Sequence, residues 1–194
     1  MKIRIDDWYD LHKGYELDLK PGVTCLVGPN GAGKTTLLAQ LNEYATGHNI
    51  PVWKYSNYAD GKYEDYRYLE TDTMRFAQTA FSSEGEKVAI HFSGRVGEIG
   101  KLVTESRKAK QPAFALLDAL DSGASIDRAR DLFELFKMID DDIKQNAEVY
   151  VVVAINQYEL AKSPLRCVDC RTGKEVRFSC YDEYAEYICG YLGE

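Results

Sequence analysis

Apolar and polar residues change rhythm along this chain in a way that lays out its elements. KIRI (2–5) and YELDL (15–19) alternate as half-buried strands do. Pro21-Gly22 turns the chain into the apolar run VTCLV. A glycine-rich loop follows, then TTLLAQLNEYA, which reads as a helix ending near Gly47. PVWKYSNY and KYEDYRYLE flank Ala59-Asp60-Gly61-Lys62, the pattern of a hairpin or of a small aromatic-rich subdomain over 52–82. TDTMRFAQTAF reads as helical, and a long helix is expected from near Ser83 to Ala109. Gly94, Gly97 and Gly100 fall three apart along it, at about 1 kcal/mol each relative to alanine. Such a run calls for a close backbone neighbour or a break in the helix.

AFALLD and VYVVVAI are continuous apolar runs, as in strands buried on both faces. IDRARDLFELFKMIDDDI is an amphipathic helix, RCVDCRTGKEVRF a hairpin closed at Thr172-Gly173, and YDEYAEYICGYL a final helix. The order predicts a layered α/β fold: a mainly parallel sheet flanked by helices, with a small antiparallel β part near the N-terminus. At 194 residues the chain fits one domain, 1–194.

Composition changes this picture little. Hydrophobic residues at 45% and charged residues at 28% are ordinary for a globular chain, and a net charge of −7 argues against broad attraction to phosphate backbones. The five cysteines are an odd number and the start MKIRIDDWYD is too polar for a signal segment, so reduced thiols in a cytoplasm are expected. No apolar run approaches the roughly 20 residues that span a bilayer, so no membrane is expected as partner.

GPNGAGKTT, Gly28 to Thr36, carries the strongest chemical signal. It matches G-x-x-x-x-G-K-[ST] between an apolar strand and a helix. Gly28, Gly31 and Gly33, with Pro29, Asn30 and Ala32 between them, let successive N–H groups point at a phosphate. The following helix adds its positive end. Lys34 can span β- and γ-phosphates, Thr35 can bind Mg²⁺, and Thr36 can reach an α-phosphate.

The wording GPNGAGKTTLL, followed in order by FSSEGE, FALLDALDSGASID and VYVVVAINQYEL, resembles the ATP-binding cassette (ABC) ATPases, closest to their SMC and RecF-like non-transporter branch. The resemblance runs from about Lys2 to Leu160. It implies ATP and Mg²⁺ as ligands, and a head-to-tail homodimer that closes around two nucleotides. SSEGE resembles the family's signature, so Ser83 and Gly85 would touch the γ-phosphate held by the second copy. Ser83-x-x-Glu86 is equally a capping box that any helix can use. Asp118 would hold Mg²⁺ through water, and Asp127 would lie at the dimer seam. Tyr9, or Trp8, would stack on adenine. Fewer than 50 residues lie between Thr36 and Ser82, so this is a head without a coiled-coil arm.

Two departures bear on activity. Ala119 stands where the family has a glutamate that activates water, and losing a well-placed base costs roughly 10²–10⁴-fold. Asp121 is the only nearby carboxylate that can orient water; Asp121-Ser122-Gly123 also reads as a turn. Asn156 or Gln157 stands where the family has a phosphate-sensing histidine, and a polar strand end fits as well. The expectation is a slow ATPase with catalytic Lys34, Asp118, Asp121 and Asn156. A non-hydrolysing module that recruits a protein partner when ATP is bound is the alternative.

A small kinase would need a lid of arginines, for which only Arg166 and Arg171 are late enough, and no N-K-x-D segment reads guanine. Cys167-x-x-Cys170 lacks a second ligand pair and reads as strand positions. The aromatic stripe Trp53, Tyr55, Tyr58, Tyr63, Tyr66 and Tyr68 lacks interleaved cations, so DNA stays open as a partner but without support from charge. RKAK (107–110) reads as a solvated helix end, and Asp140 to Asp142 as a solvated face.

Overall fold

The apolar runs of the sequence line up side by side in the computed structural model, which describes residues 1–7, 14–57, 60, 71, 72, 74 and 82–190. Its strands are β1 (Lys2–Ile5), β2 (Tyr15–Asp18), β3 (Gly22–Val27), β4 (Val52–Ser56), β5 (Ala113–Asp118), β6 (Val149–Ala154), β7 (Arg166–Asp169) and β8 (Glu175–Val176). The helices are α1 (Lys34–Gly47), α2 (Glu84–Ser93), α3 (Val96–Ala109), α4 (Ile126–Asn146) and α5 (Tyr181–Gly190), with a 3₁₀ turn at Tyr158–Leu160. The main sheet has the order β4-β5-β6-β3-β7-β8; all neighbours are parallel except β7 and β8, which form the expected hairpin. β1 and β2 pair antiparallel as a separate two-stranded sheet.

Both faces of the sheet are covered, which is why its central strands read as unbroken apolar runs. Ala113, Ala115 and Leu117 of β5 face one core with Phe92 of α2, Ile99 of α3 and Phe136 of α4. Phe114 and Leu116 face the other, with Leu37 and Leu41 of α1 and Ile3, Ile5 and Leu17 of the small sheet. Phe114 and Tyr150 stack at 5.2 Å on neighbouring strands. All the parallel strands end on one edge, and the loops there carry the motifs.

One local expectation meets a different outcome, and two others are described only in part. The helix expected over 83–109 is two helices, α2 ending at Gly94 and α3 beginning after Arg95. The glycine run thus marks a break, and Gly97 and Gly100 meet no close neighbour. Val52–Ser56 pairs as β4 with β5, a contact across 62 residues that no local pattern announces (Val52 with Phe114), and the second arm of the expected hairpin, 62–70, lies outside the described residues. Of the aromatic stripe, Tyr55 is buried and packs on Phe92 at 5.4 Å, with Trp53 stacked beside it; Tyr58, Tyr63, Tyr66 and Tyr68 lie outside the described residues. Most of TDTMRFAQTAF also lies outside them.

Asp140 corrects the reading of its acidic run as a solvated face. Its carboxylate is buried, accepts the Val23 amide hydrogen at 2.8 Å and pairs with Lys144. The residue sits on the buried stripe of α4, with Ala129, Phe136 and Ile143. Its neighbour Asp142 does face solvent and pairs with Arg107 at 3.0 Å. No described helix is long and apolar enough to cross a membrane.

Candidate functional site

The loop between β3 and α1 turns on glycines and brings no side-chain cap to the helix start. Gly31 and Gly33 hold φ of 82° and 91°, a region that other residues enter only at a cost. Gly33 is the N-cap of α1 and offers no side chain, so the first-turn amides have no side-chain cap. α2 and α4 differ: each is capped by a serine, Ser83 and Ser125. From below, the Cys170 thiol donates to Ala32 O at 3.3 Å, and the Tyr15 hydroxyl holds Cys170 O at 2.5 Å. Burial pushes that thiol up to about 12, so it stays protonated. No motif announces this support, because it joins residues 138 apart in the chain.

The loop opens on a cleft of about 360 Å³. Asn30, Gly31, Gly33, Lys34, Thr35 and Thr36 form one wall; Asp118, Ala119, Ala154 and Asn156 form the other. Because β6 lies between β3 and β5, Asn156, two residues past its end, falls between the glycine-rich loop and Asp118. The Thr35 hydroxyl donates to Asp118 Oδ2 at 2.9 Å across the cleft. A hydroxyl and a carboxylate side by side are the hard oxygen donors that Mg²⁺ takes, so the residues fit such an ion. Lys34 Nζ donates to Gly28 O at 2.6 Å and Pro29 O at 3.0 Å, braced over the loop. Burial lowers its pKa from 10.5, against the opposing pull of Cys170, Asp121 and Asp118.

Ala119 lines the cleft with a φ of 56°, so a side chain already stands in the left-handed region at the position of the missing glutamate. Asp121 is not on the wall. It is 3% exposed, and its Oδ2 accepts the amide hydrogens of Asn156 at 2.5 Å and Gln157 at 2.8 Å. Burial pushes its carboxyl up, while those hydrogen bonds pull it down, with burial prevailing. Gln157 also turns away from the cleft: its Nε2 donates to Asp121 O at 3.1 Å and Ala124 O at 2.7 Å. Asn156 is exposed and remains the polar side chain at the strand end that meets the cleft.

Ser83 lies at the start of α2 in a complete capping box: its Oγ accepts from the Glu86 amide, and Glu86 Oε2 accepts from the Ser83 amide at 2.8 Å and from its hydroxyl at 3.0 Å. These bonds hold the Glu86 carboxyl below its usual range. Gly85 is buried against the loop after β5; a Cβ there would overlap Gly123 O and come within 2.9 Å of Ala124 Cα. Asp127 is exposed in the first turn of α4. Tyr9 and Trp8 lie outside the described residues. Arg166 is engaged with Glu175 at 3.1 Å at the start of β7, the opposite end of the parallel strands from the glycine-rich loop.

Among curated proteins, none matches the chain. The AAA domain family profile matches residues 2–167, from β1 through the glycine-rich loop and Asp118 into β7. With a nucleotide-type phosphate loop at the edge of a mostly parallel sheet and a match over most of its length, this chain belongs to the AAA domain family of P-loop ATPases, which is also found in SMC and RecF-like proteins.

Proposed function

We propose that this chain is an Mg²⁺-dependent ATPase of the ABC type, SMC and RecF-like branch, that binds ATP firmly, turns it over slowly, and works as a switch by closing a head-to-tail homodimer around two nucleotides. The observation that carries the reading is the pairing of Thr35 Oγ1 with Asp118 Oδ2 at 2.9 Å, beside a helix start that has no side-chain cap. Lys34 and amides at the start of α1 would hold the phosphates, and Thr35 and Asp118 would hold Mg²⁺, which would supply positive charge to offset that of the phosphates. Asn156 reaches the end of the phosphate chain from the strand between them. Ala119 brings a methyl group where a base would stand, and the Asp121 carboxylate is already saturated, which supports slow chemistry.

In the dimer, Ser83 of one copy would face the nucleotide of the other. Glu86 occupies that helix start with a negative charge, so closure requires the capping box to open. A second reading follows from the same two residues, Ala119 and Asp121. With no base at all, the chain would be a nucleotide-gated module whose ATP-held form recruits a protein partner.

Mass by light scattering, with and without ATP and Mg²⁺, tests the switch. A doubling with ATP supports it; a monomer at saturating ATP contradicts it. Phosphate release above background, lost in Asp118→Ala, supports the ATPase reading over the non-hydrolysing module.

A further inference from the structure

The connection from β5 to α4, residues 119–125, is fastened far more heavily than a surface turn requires. Asp121 grips two successive amides just past β6, and its Oδ1 also lies 3.4 Å from Asn156 Nδ2. Gln157 spans the same connection from the other side, one amide group donating to carbonyls three residues apart. Gly85 then presses the start of α2 onto Gly123 and Ala124, with no room for even a methyl group. Close-packed contacts of this kind transmit displacement instead of absorbing it. A fourth fastening comes from outside the family match: the Tyr184 hydroxyl of α5 donates to Asn156 O at 2.8 Å.

We propose that Asp121 and Gln157 are positioning residues that couple the phosphate cleft to the start of α2 within one chain, carrying a shift of Asn156 through the 119–124 loop to Ser83 and Gly85. The inference rests on the nucleotide reading of the cleft but not on dimerisation or turnover. Asn156 is the residue both parts share. Its side chain meets the cleft, and its backbone amide is held by Asp121. A phosphate that draws Asn156 therefore draws the loop, and the loop draws the helix start that carries Ser83 and Gly85.

Hydrogen exchange of the full chain, read by mass spectrometry with and without ATP and Mg²⁺, tests this. In the wild type, nucleotide is expected to change exchange in three segments together: 28–36, 83–88 and 119–124, by about tenfold in the first and about threefold or more in the others. In Gln157→Ala the change in 28–36 persists, with ATP affinity within about threefold of wild type, while the change in 83–88 is lost. Asp121→Asn, which keeps one acceptor oxygen, loses it in part. The readout is the ligand-dependent difference, which a merely structural role would leave intact even if baseline exchange rises. A response at 83–88 that survives in both variants overturns the coupling. So does a wild type whose 28–36 segment responds while 83–88 does not, and that result leaves the nucleotide site standing. No response at 28–36 in the wild type removes the nucleotide reading and the coupling together.

Discussion

Two loops leave neighbouring regions of the same sheet edge, and their hydrogen bonding is opposite. The β3–α1 loop leaves its first-turn amides without a side-chain cap and sets a lysine and a threonine beside them. The β5–α4 loop consumes its polar groups: Asp121 and Gln157 bond it to the chain past β6, and Ser125 caps the helix that follows. Both contain glycine, a carboxylate or cation, and a helix start, so composition does not separate them. A buried polar group is ordinarily satisfied, and a place where the chain stops short of satisfying its own groups is where a ligand completes the set. By that measure we read the first loop as a binding site and the second as the joint proposed above.

The sharpest way to break the contrast is Lys34→Ala. Removing a charge-assisted donor to phosphate in a half-enclosed cleft should weaken ATP binding by roughly 100-fold or more, at about 3 kcal/mol, in a calorimetric titration. The same lysine gives a pH test. Burial depresses its pKa, so the free protein loses this charge at a lower pH than an ordinary lysine would. Bound phosphate favours the charged form; ATP affinity should therefore decline as pH rises toward 10.5, and binding should take up protons there. An affinity flat across the alkaline range would detach Lys34 from the ligand.

Ala119→Glu sharpens the comparison from the other side. The backbone already holds φ of 56° with a side chain in place, so glutamate adds no new backbone strain. If the cleft lacks only its base, phosphate release should rise about 100-fold, the low end of what general-base catalysis supplies. Asp121→Ala should instead act on stability: it strands the amides of Asn156 and Gln157 and lowers unfolding free energy by about 1–3 kcal/mol in urea melts. A sharp loss of turnover with unchanged stability would support Asp121 as the base. The smallest effect is expected where no neighbour exists: Gly100→Ala, inside α3, should gain about 0.5–1 kcal/mol, whereas Gly85→Ala should lose stability to overlap with Gly123.

These contrasts also mark what the sequence reveals. The phosphate loop is legible because its chemistry is local: the glycines, lysine and threonine act within nine residues, and spacing alone implies their shape. Ser83 and Glu86 are legible for the same reason, since a capping box spans one helical turn. Asp118 is legible as the polar end of a strand otherwise buried. Asp121 is not, because a loop carries no periodicity to say whether a side chain points inward, and its partners are 35 and 36 residues away. Asp140 was readable in principle. Extending the α4 stripe from Ala129 through Phe136 to Ile143 passes through it, and that period outranks the bias of three adjacent aspartates. The support of the phosphate loop by Cys170 and the pairing of β4 with β5 depend on tertiary approach alone.

The account stands on the pairing of Thr35 with Asp118 beside the open amides, and one calorimetric series tests it most directly. ATP titrated into wild type with Mg²⁺, without Mg²⁺, and into Asp118→Ala with Mg²⁺ should give firm binding only in the first case, with the other two weakened alike. Equal affinity in all three would contradict the assignment of those two oxygens to the metal, and no binding in any would contradict the site itself.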